Sequence, residues 1–184
     1  MEENNEKYAR LSHMLKEWTK EDVVVAFSGG ADSALLLRAA CDAALENGTD
    51  VYAVTVMTKL HPGSDLDTAR RVAREMGALH RVLEIDELDE AGIKENPVDR
   101  CYRCKRSIFR KIRALAETLN VRCVLEGTNE DDLHEYRPGL KALKELRILS
   151  PLAQCHITKQ EVRELARRRG VSVAERPASP CLAT

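Results

Sequence analysis

Val23-Val24-Val25-Ala26-Phe27-Ser28-Gly29-Gly30-Ala31-Asp32-Ser33 decides the fold. Five apolar residues in a row, preceded by charge and followed by Ser-Gly-Gly, have the pattern of a strand buried on both faces. From 32 to 46 the apolar residues Leu36, Leu37, Ala40, Cys41 and Ala44 fall at helical spacing, and Gly48 follows as a stop signal. A buried strand, a tight glycine turn and a helix in succession are half of a β-α-β unit. The turn itself is suited to phosphate. Gly29 and Gly30 let the backbone bend and approach a ligand, Ser28 and Ser33 supply hydroxyls, and the helix directs its free N–H groups at whatever sits there. The turn lacks the Gly-Lys-Ser/Thr of a Walker loop and the G-x-G-x-x-G of dinucleotide folds.

Upstream, Tyr8, Leu11, Leu15 and Trp18 predict an amphipathic leading helix over 2–19. Downstream, Val51–Met57 predicts a second strand. Ser64 and Asp67 have capping-box spacing for a helix reaching Met76, and Leu79–Ile85 predicts a third strand. The charged stretch 86–96 is expected to loop out. Ile108, Ile112, Leu115 and Leu119 mark a helix over 102–119, with Val121–Leu125 as a fourth strand. Ile148 and Leu149 form a short apolar element; Thr158 and Glu161 form another capping box on a helix that Gly170 ends. Alternating strands and helices predict an α/β domain, a parallel sheet with helices on both faces, and ligands beyond the carboxyl ends of the strands.

Composition narrows the function. Lys plus Arg number 29 against 30 Asp plus Glu, for a net charge of −1, so no whole-chain field draws nucleic acid or membrane. Without an apolar run of ~20 residues, and with an acidic, polar start, the expected location is the cytoplasm and no membrane partner is expected. The six cysteines then read as thiols or metal ligands, not a disulfide framework. Cys41 and Cys123 fall at core positions of a helix and a strand. Cys155 precedes a helix and is not assigned a role. From Arg100 to Arg113 seven Lys or Arg occur without an acid. That is the pattern of a solvated helix face, and also of a patch for a phosphorylated substrate or tRNA, although two interleaved aromatics, Tyr102 and Phe109, support RNA stacking poorly. The histidines at 61, 80, 134 and 156 lack ligand spacing.

A second loop, Glu126-Gly127-Thr128-Asn129-Glu130-Asp131-Asp132, follows the fourth strand and can face the same crevice. Gly127 and Thr128 suit close approach to a nucleotide, and Asp131 is a candidate Mg²⁺ partner. An Asn- and Asp-rich turn is equally a plain loop. Asp32, set among phosphates, calls for a divalent cation; its alternative is a simple helix-start acid.

SGGADS resembles the SGGxDS signature of the PP-loop ATP pyrophosphatases. Three further stretches resemble one family in that group, the LarE sulfur transferases that help build the nickel-pincer nucleotide cofactor. Asn96-Pro97-Val98-Asp99-Arg100-Cys101-Tyr102-Arg103-Cys104-Lys105 is similar to NPxDRCYxCK. Gly127–Asp132 with Tyr136-Arg137-Pro138-Gly139-Leu140-Lys141-Ala142 is similar to GTNxDD…YRPGLKA. Arg176-Pro177-Ala178-Ser179-Pro180-Cys181-Leu182-Ala183 is similar to KPASxCLAS. The likeness runs from Val23 to Thr184.

The resemblance implies that Ser28, Gly29, Gly30, Asp32, Ser33, Gly127 and Thr128 bind ATP, with Mg²⁺ on Asp32 and Asp131. The implied chemistry is adenylation of a carboxylate of pyridinium-3,5-dicarboxylic acid mononucleotide, then replacement of oxygen by sulfur. Catalysis would fall to Asp32 and Cys181. Some members surrender the sulfur of the cysteine matching Cys181 and become dehydroalanine. Others hold a [4Fe-4S] cluster on three cysteines, which here would be Cys101, Cys104 and Cys181, leaving one iron without a protein ligand. Arg100, Arg103 and Lys105 would favour ligation by lowering nearby thiol pKa values. Cys101-x-x-Cys104 also fits zinc or a redox pair. A tRNA thiolase and a nucleotide-binding module without turnover are the rival functions. The resemblance also implies a homo-oligomer. It divides the chain into a leading helix (1–20), a PP-loop domain (21–176) and the start of a truncated C-terminal sulfur-transfer segment (177–184), since family members continue into a further domain that holds the substrate phosphate.

Overall fold

A computed structural model describes residues 2–58, 64–93 and 95–176 of the chain, without the side chains of residues 2, 64, 65, 87 and 88. Helix α1 (Glu2–Trp18) leads into β1 (Val23–Ala26), α2 (Ala31–Asn47), β2 (Val51–Thr58), α3 (Ser64–Glu75) and β3 (Leu79–Ile85). There follow α4 (Glu87–Glu90), α5 (Arg100–Thr118), β4 (Cys123–Leu125), a 3₁₀ turn (Asp131–Leu133), α6 (Gly139–Glu145), α7 (Pro151–Gln154) and α8 (Lys159–Arg168). All four strands are parallel in the order β3-β2-β1-β4. After β3 the chain crosses to the other side of β1. The order therefore reverses between β1 and β4, and the loops beyond Ala26 and Leu125 open onto one crevice. Leu149 continues the sheet past β4 by a single parallel bridge to Leu125.

Burial on both faces explains the unbroken apolar strands. Val23, Val25, Phe27, Ala53 and Leu125 point into one core with α1, α2, α3 and α8. Val24, Val54 and Val124 point into the other, against Phe109, Ile112 and Ala116 of α5 and Leu143 of α6. Each fully buried Val or Leu contributes about 1.5–3 kcal/mol relative to exposure. Capping fixes the helix ends: Gly48 closes α2 in the left-handed region at φ 71°, and Thr158 and Glu161 form the expected reciprocal box on α8. The Ser64–Asp67 pair rests on a side chain outside the described residues. Stretch 86–96 is more ordered than a loop, because α4 makes one turn and Ile93 is buried.

The leading helix is part of the core. Leu11 and Leu15 are fully buried, and the guanidinium of Arg169, just past α8, lies 3.9 Å from the Tyr8 ring centroid. Leu11→Ala is expected to cost about 2–5 kcal/mol in denaturant unfolding, whereas a helix merely appended to the domain would lose about 0.5 kcal/mol or less.

Candidate functional site

The first loop has the backbone its sequence demands. Gly29 has φ 79°, a left-handed conformation that L side chains rarely adopt. Gly30 is the N-cap of α2 and no side chain caps the helix. The Ser28 and Ser33 hydroxyls lie 3.2 Å apart, and Ser33 Oγ donates to the Gly30 carbonyl at 3.1 Å. An uncapped helix start framed by two hydroxyls is an anion site.

The second loop abuts the first. A Cβ on Gly127 would stand 2.9 Å from the Ser33 nitrogen and 3.2 Å from the Asp32 carbonyl carbon. The close approach that this glycine permits is thus to the first turn of α2. Asn129 Nδ2 donates to Asp32 Oδ1 at 3.1 Å across the gap, and the Lys159 ammonium, from the start of α8, pairs with Asp32 Oδ2.

Between the loops, the end of β2 and one face of α5 lies a cavity of about 330 Å³. Phe27, Val54, Val56, Ile108, Phe109 and Ile112 make one part of its wall apolar. Ser28, Asp32, Ser33, Gly127 and Thr128 supply the polar part, together with Lys105, Glu126, Asp132 and Arg137. An apolar slot beside an anion-binding turn suits a nucleotide, base at one end and phosphates at the other.

The acid in this cavity besides Asp32 and Glu126 is Asp132. Asp131 is exposed and its carboxylate accepts from the backbone N–H of Lys159 at 2.8 Å, so it lies off the cavity wall. The 3₁₀ turn decides between the two neighbours. Burial raises the Asp132 carboxyl above the ordinary Asp range; the Asn129 N–H and the Arg137 guanidinium oppose the shift, and the carboxylates of Asp32 and Glu126 add to it. Asp32 and Asp132 both line the cavity that would receive the phosphates. Among the described residues no three His, Cys, Asp or Glu side chains are grouped to hold a metal alone. Mg²⁺ on one or two carboxylates completed by phosphate oxygens fits Asp32 and Asp132.

Cys101 and Cys104 are thiols in the first turns of α5. At helical spacing they share one face with Lys105, Ile108 and Ile112, which line the cavity, so the thiols continue the cavity wall by one turn. Two thiols three apart on a helix fit part of a cluster's ligand set; Cys181 lies outside the described residues. The nearby arginines are engaged elsewhere, Arg100 with Asn96 and Arg103 with Asp99, while Lys105 faces Glu126 at 3.7 Å without a formed hydrogen bond. The basic run is largely paired as well, Arg106 with Glu145 and Lys111 with Glu90, while Arg113 donates to the carbonyls of Arg122, Leu146 and Arg147. Desolvation pushes the Cys41 thiol to about 12 and the Cys123 thiol to about 11, as expected of inert core cysteines, and Cys155 proves to be buried too, its thiol raised by the same cause.

Several residues of the site carry no sequence signal for their roles. Lys159 reaches the site from a distant segment without a local motif, and Arg137, quoted within the 136–142 motif, has no role assigned from sequence. Glu126 and Asn129 stand inside a motif in which Gly127, Thr128 and Asp131 carry the expected roles. His134 and His156, scattered in sequence, both bond Glu130, at 2.9 and 3.0 Å, and tie the second loop to the turn before α8.

A parallel sheet whose reversal point carries two phosphate-directed loops defines a nucleotide-binding α/β domain. The chain belongs to the PP-loop domain family, whose profile matches residues 3–137. It is 35% identical over 166 residues to pyridinium-3,5-bisthiocarboxylic acid mononucleotide synthase of Lactiplantibacillus plantarum, covering 90% of this chain and 59% of that protein. It is 36% identical over 161 residues to an uncharacterized protein of Synechocystis sp., covering 88% of this chain and 59% of that one. Among solved structures, the U34-tRNA thiolase NcsA of Methanococcus maripaludis with its [4Fe-4S] cluster superposes with a TM-score of 0.71 at 17% identity, covering 96% of this chain and 69% of that one. The chain spans about six tenths of the length of these two curated relatives. No helix among the described residues is long and apolar enough to cross a membrane.

Proposed function

We propose that this chain is the ATP-activating part of a sulfur transferase that acts on pyridinium-3,5-dicarboxylic acid mononucleotide. The observation that carries the reading is the continuity of the Cys101-Cys104 turn with the α5 face lining the nucleotide cavity. Activation and sulfur delivery then share one wall. A substrate carboxylate oxygen attacks the α-phosphorus of ATP, the bond to the bridging oxygen breaks, and pyrophosphate leaves with the electron pair. Ser28, Gly30 and Ser33 hold the departing phosphates, Asp32 and Asp132 would hold a Mg²⁺ ion that supplies positive charge against them, and Lys105 faces the reacting end. A sulfur nucleophile then attacks the acyl carbon of the adenylate and AMP departs. Cys101, Cys104 and Cys181 would hold a [4Fe-4S] cluster, which when bound supplies an iron free of protein thiolate. The similarity to the Lactiplantibacillus synthase supports this substrate over tRNA, and the largely paired basic run on α5 points the same way.

The test is anaerobic turnover with ATP, Mg²⁺ and the pyridinium nucleotide, following AMP, pyrophosphate and thiocarboxylate by mass spectrometry. Thiocarboxylate on the small substrate is expected; sulfur appearing on tRNA alone, or ATP binding without pyrophosphate release, overturns the proposal. Cys101→Ala and Cys104→Ala are expected to abolish sulfur transfer and bound iron while leaving adenylation within about 3-fold, since neither thiol lines the cavity itself. Cys181 converted to dehydroalanine after one turnover, with Cys101→Ala still active, would assign the sulfur to that side chain instead.

A further inference from the structure

We infer that Glu126 is a positioning residue for the reacting phosphate, holding the Lys105 ammonium at the cavity wall; this rests on the adenylation reading above. Glu126 is only 5% exposed. A carboxylate buried so deeply is costly unless every lone pair is met and a cation stands near. Its Oε1 accepts from the Thr128 N–H at 3.0 Å and from the Ser150 hydroxyl. Its Oε2 accepts from Thr128 Oγ1 at 2.8 Å and faces Lys105 Nζ at 3.7 Å. Glutamine keeps one acceptor oxygen for the Thr128 N–H and the Ser150 hydroxyl, and its amide N–H can donate to the Thr128 hydroxyl once that hydroxyl turns, so these contacts do not call for a charge. The charge is explained by Lys105.

The geometry of Lys105 sets it apart from the other cations of α5. Lys111 bonds Glu90 at 2.7 Å and Arg103 bonds Asp99 at 2.8 Å, so those groups spend donors on their partners. At 3.7 Å, Lys105 is attracted to Glu126 without a formed hydrogen bond, and its N–H donors stay available to an incoming anion. The stem is confined as well. A Cβ at Gly139 would come within 2.8 Å of Lys105 Cδ, and the ammonium lies 5.8 Å from the Phe109 ring centroid. Packing fixes the stem and Glu126 fixes the charge, beside the second nucleotide loop. During adenylation negative charge builds on the α-phosphate oxygens, and a cation held there in advance stabilises the transition state with little reorganisation. Because Glu126 also carries Thr128, the same carboxylate aligns the loop and the cation.

The measurement is ATP–pyrophosphate exchange by the full chain with the pyridinium nucleotide, on Glu126→Gln, Lys105→Met and the double variant. Glu126→Gln is expected to lower kcat about 10–100-fold with the KM for ATP within about 3-fold, and to cost less than about 2-fold once Lys105 is methionine. Ser150→Ala, which removes a donor but keeps the charge, is expected to cost less than about 3-fold. Additive losses in the double variant overturn the inference, as does Ser150→Ala matching Glu126→Gln. A Glu126→Gln chain that does not fold also overturns it, in favour of a loop staple. No exchange by the unaltered chain would sink the adenylation reading itself, a separate outcome.

Discussion

Asp32→Asn is expected to reduce Mg²⁺-dependent adenylation by about 10²–10³-fold while leaving the binding of metal-free ATP unweakened. The opposite signs follow from where the carboxylate stands. Asp32 lies at the first turn of α2, where the phosphates are expected, and its oxygens are occupied by Asn129 and Lys159. A phosphate charge about 4 Å from this carboxylate is opposed by roughly 4 kcal/mol at an effective dielectric of 20. Asp32 would hold a Mg²⁺ ion whose charge offsets that repulsion, which would leave Lys159 free to meet the phosphates. Asparagine removes both the repulsion and the metal ligand and leaves Lys159 unpaired. Titration calorimetry with ATP in EDTA and then in Mg²⁺ reads the two effects separately. If Asp32 is only a helix-start acid, worth about 0.3–1 kcal/mol to α2, the substitution will lower the melting temperature and leave the Mg²⁺ preference intact.

Much of this site was readable because strands buried on both faces declare themselves as apolar runs, and the loops that follow them must open at the sheet's carboxyl edge. SGGADS carried its own conformation: the glycine that turns left-handed and the one that caps α2 are adjacent in sequence. What could not be read depends on angles and long separations. Asp131 and Asp132 are equivalent as letters, and only the 3₁₀ turn aims one into the cavity and the other at the N–H of Lys159. Lys159 was legible as part of a capped helix, but its pairing with Asp32 depends on α8 packing against α2. Glu126 ends an apolar strand, a position from which sequence cannot separate a buried hub from a solvated charge. The basic run from Arg100 left a solvated face and a phosphate patch open, because acids that pair with it, Glu90, Glu126 and Glu145, come from other segments.

Gly127→Ala and Gly30→Ala should separate the two reasons for glycine here. At Gly127 the added methyl meets backbone, the Ser33 nitrogen at 2.9 Å and Cα at 3.1 Å, and backbone at a helix start cannot swing aside as a side chain can. The loops must part. Overpacking of this kind costs about 1–3 kcal/mol, and Gly127→Ala is expected to lower stability by that amount. Parting the loops also strains the Asn129–Asp32 bond and widens the phosphate end of the cavity, so ATP affinity should fall about 10–100-fold, since every 1.4 kcal/mol is tenfold. At Gly30 the same methyl would find Ser28 Oγ at 3.5 Å, an ordinary contact, and the backbone there, at φ −85° and ψ 166°, suits any residue. Its loss should cost the fold less than about 1 kcal/mol. If phosphate nestles against the uncapped start of α2, that methyl takes its place, and Gly30→Ala should weaken ATP binding at nearly unchanged melting temperature. Equal loss of stability in both variants would mean that Gly30 serves the turn alone, and the anion site would then have to lie elsewhere in the cavity.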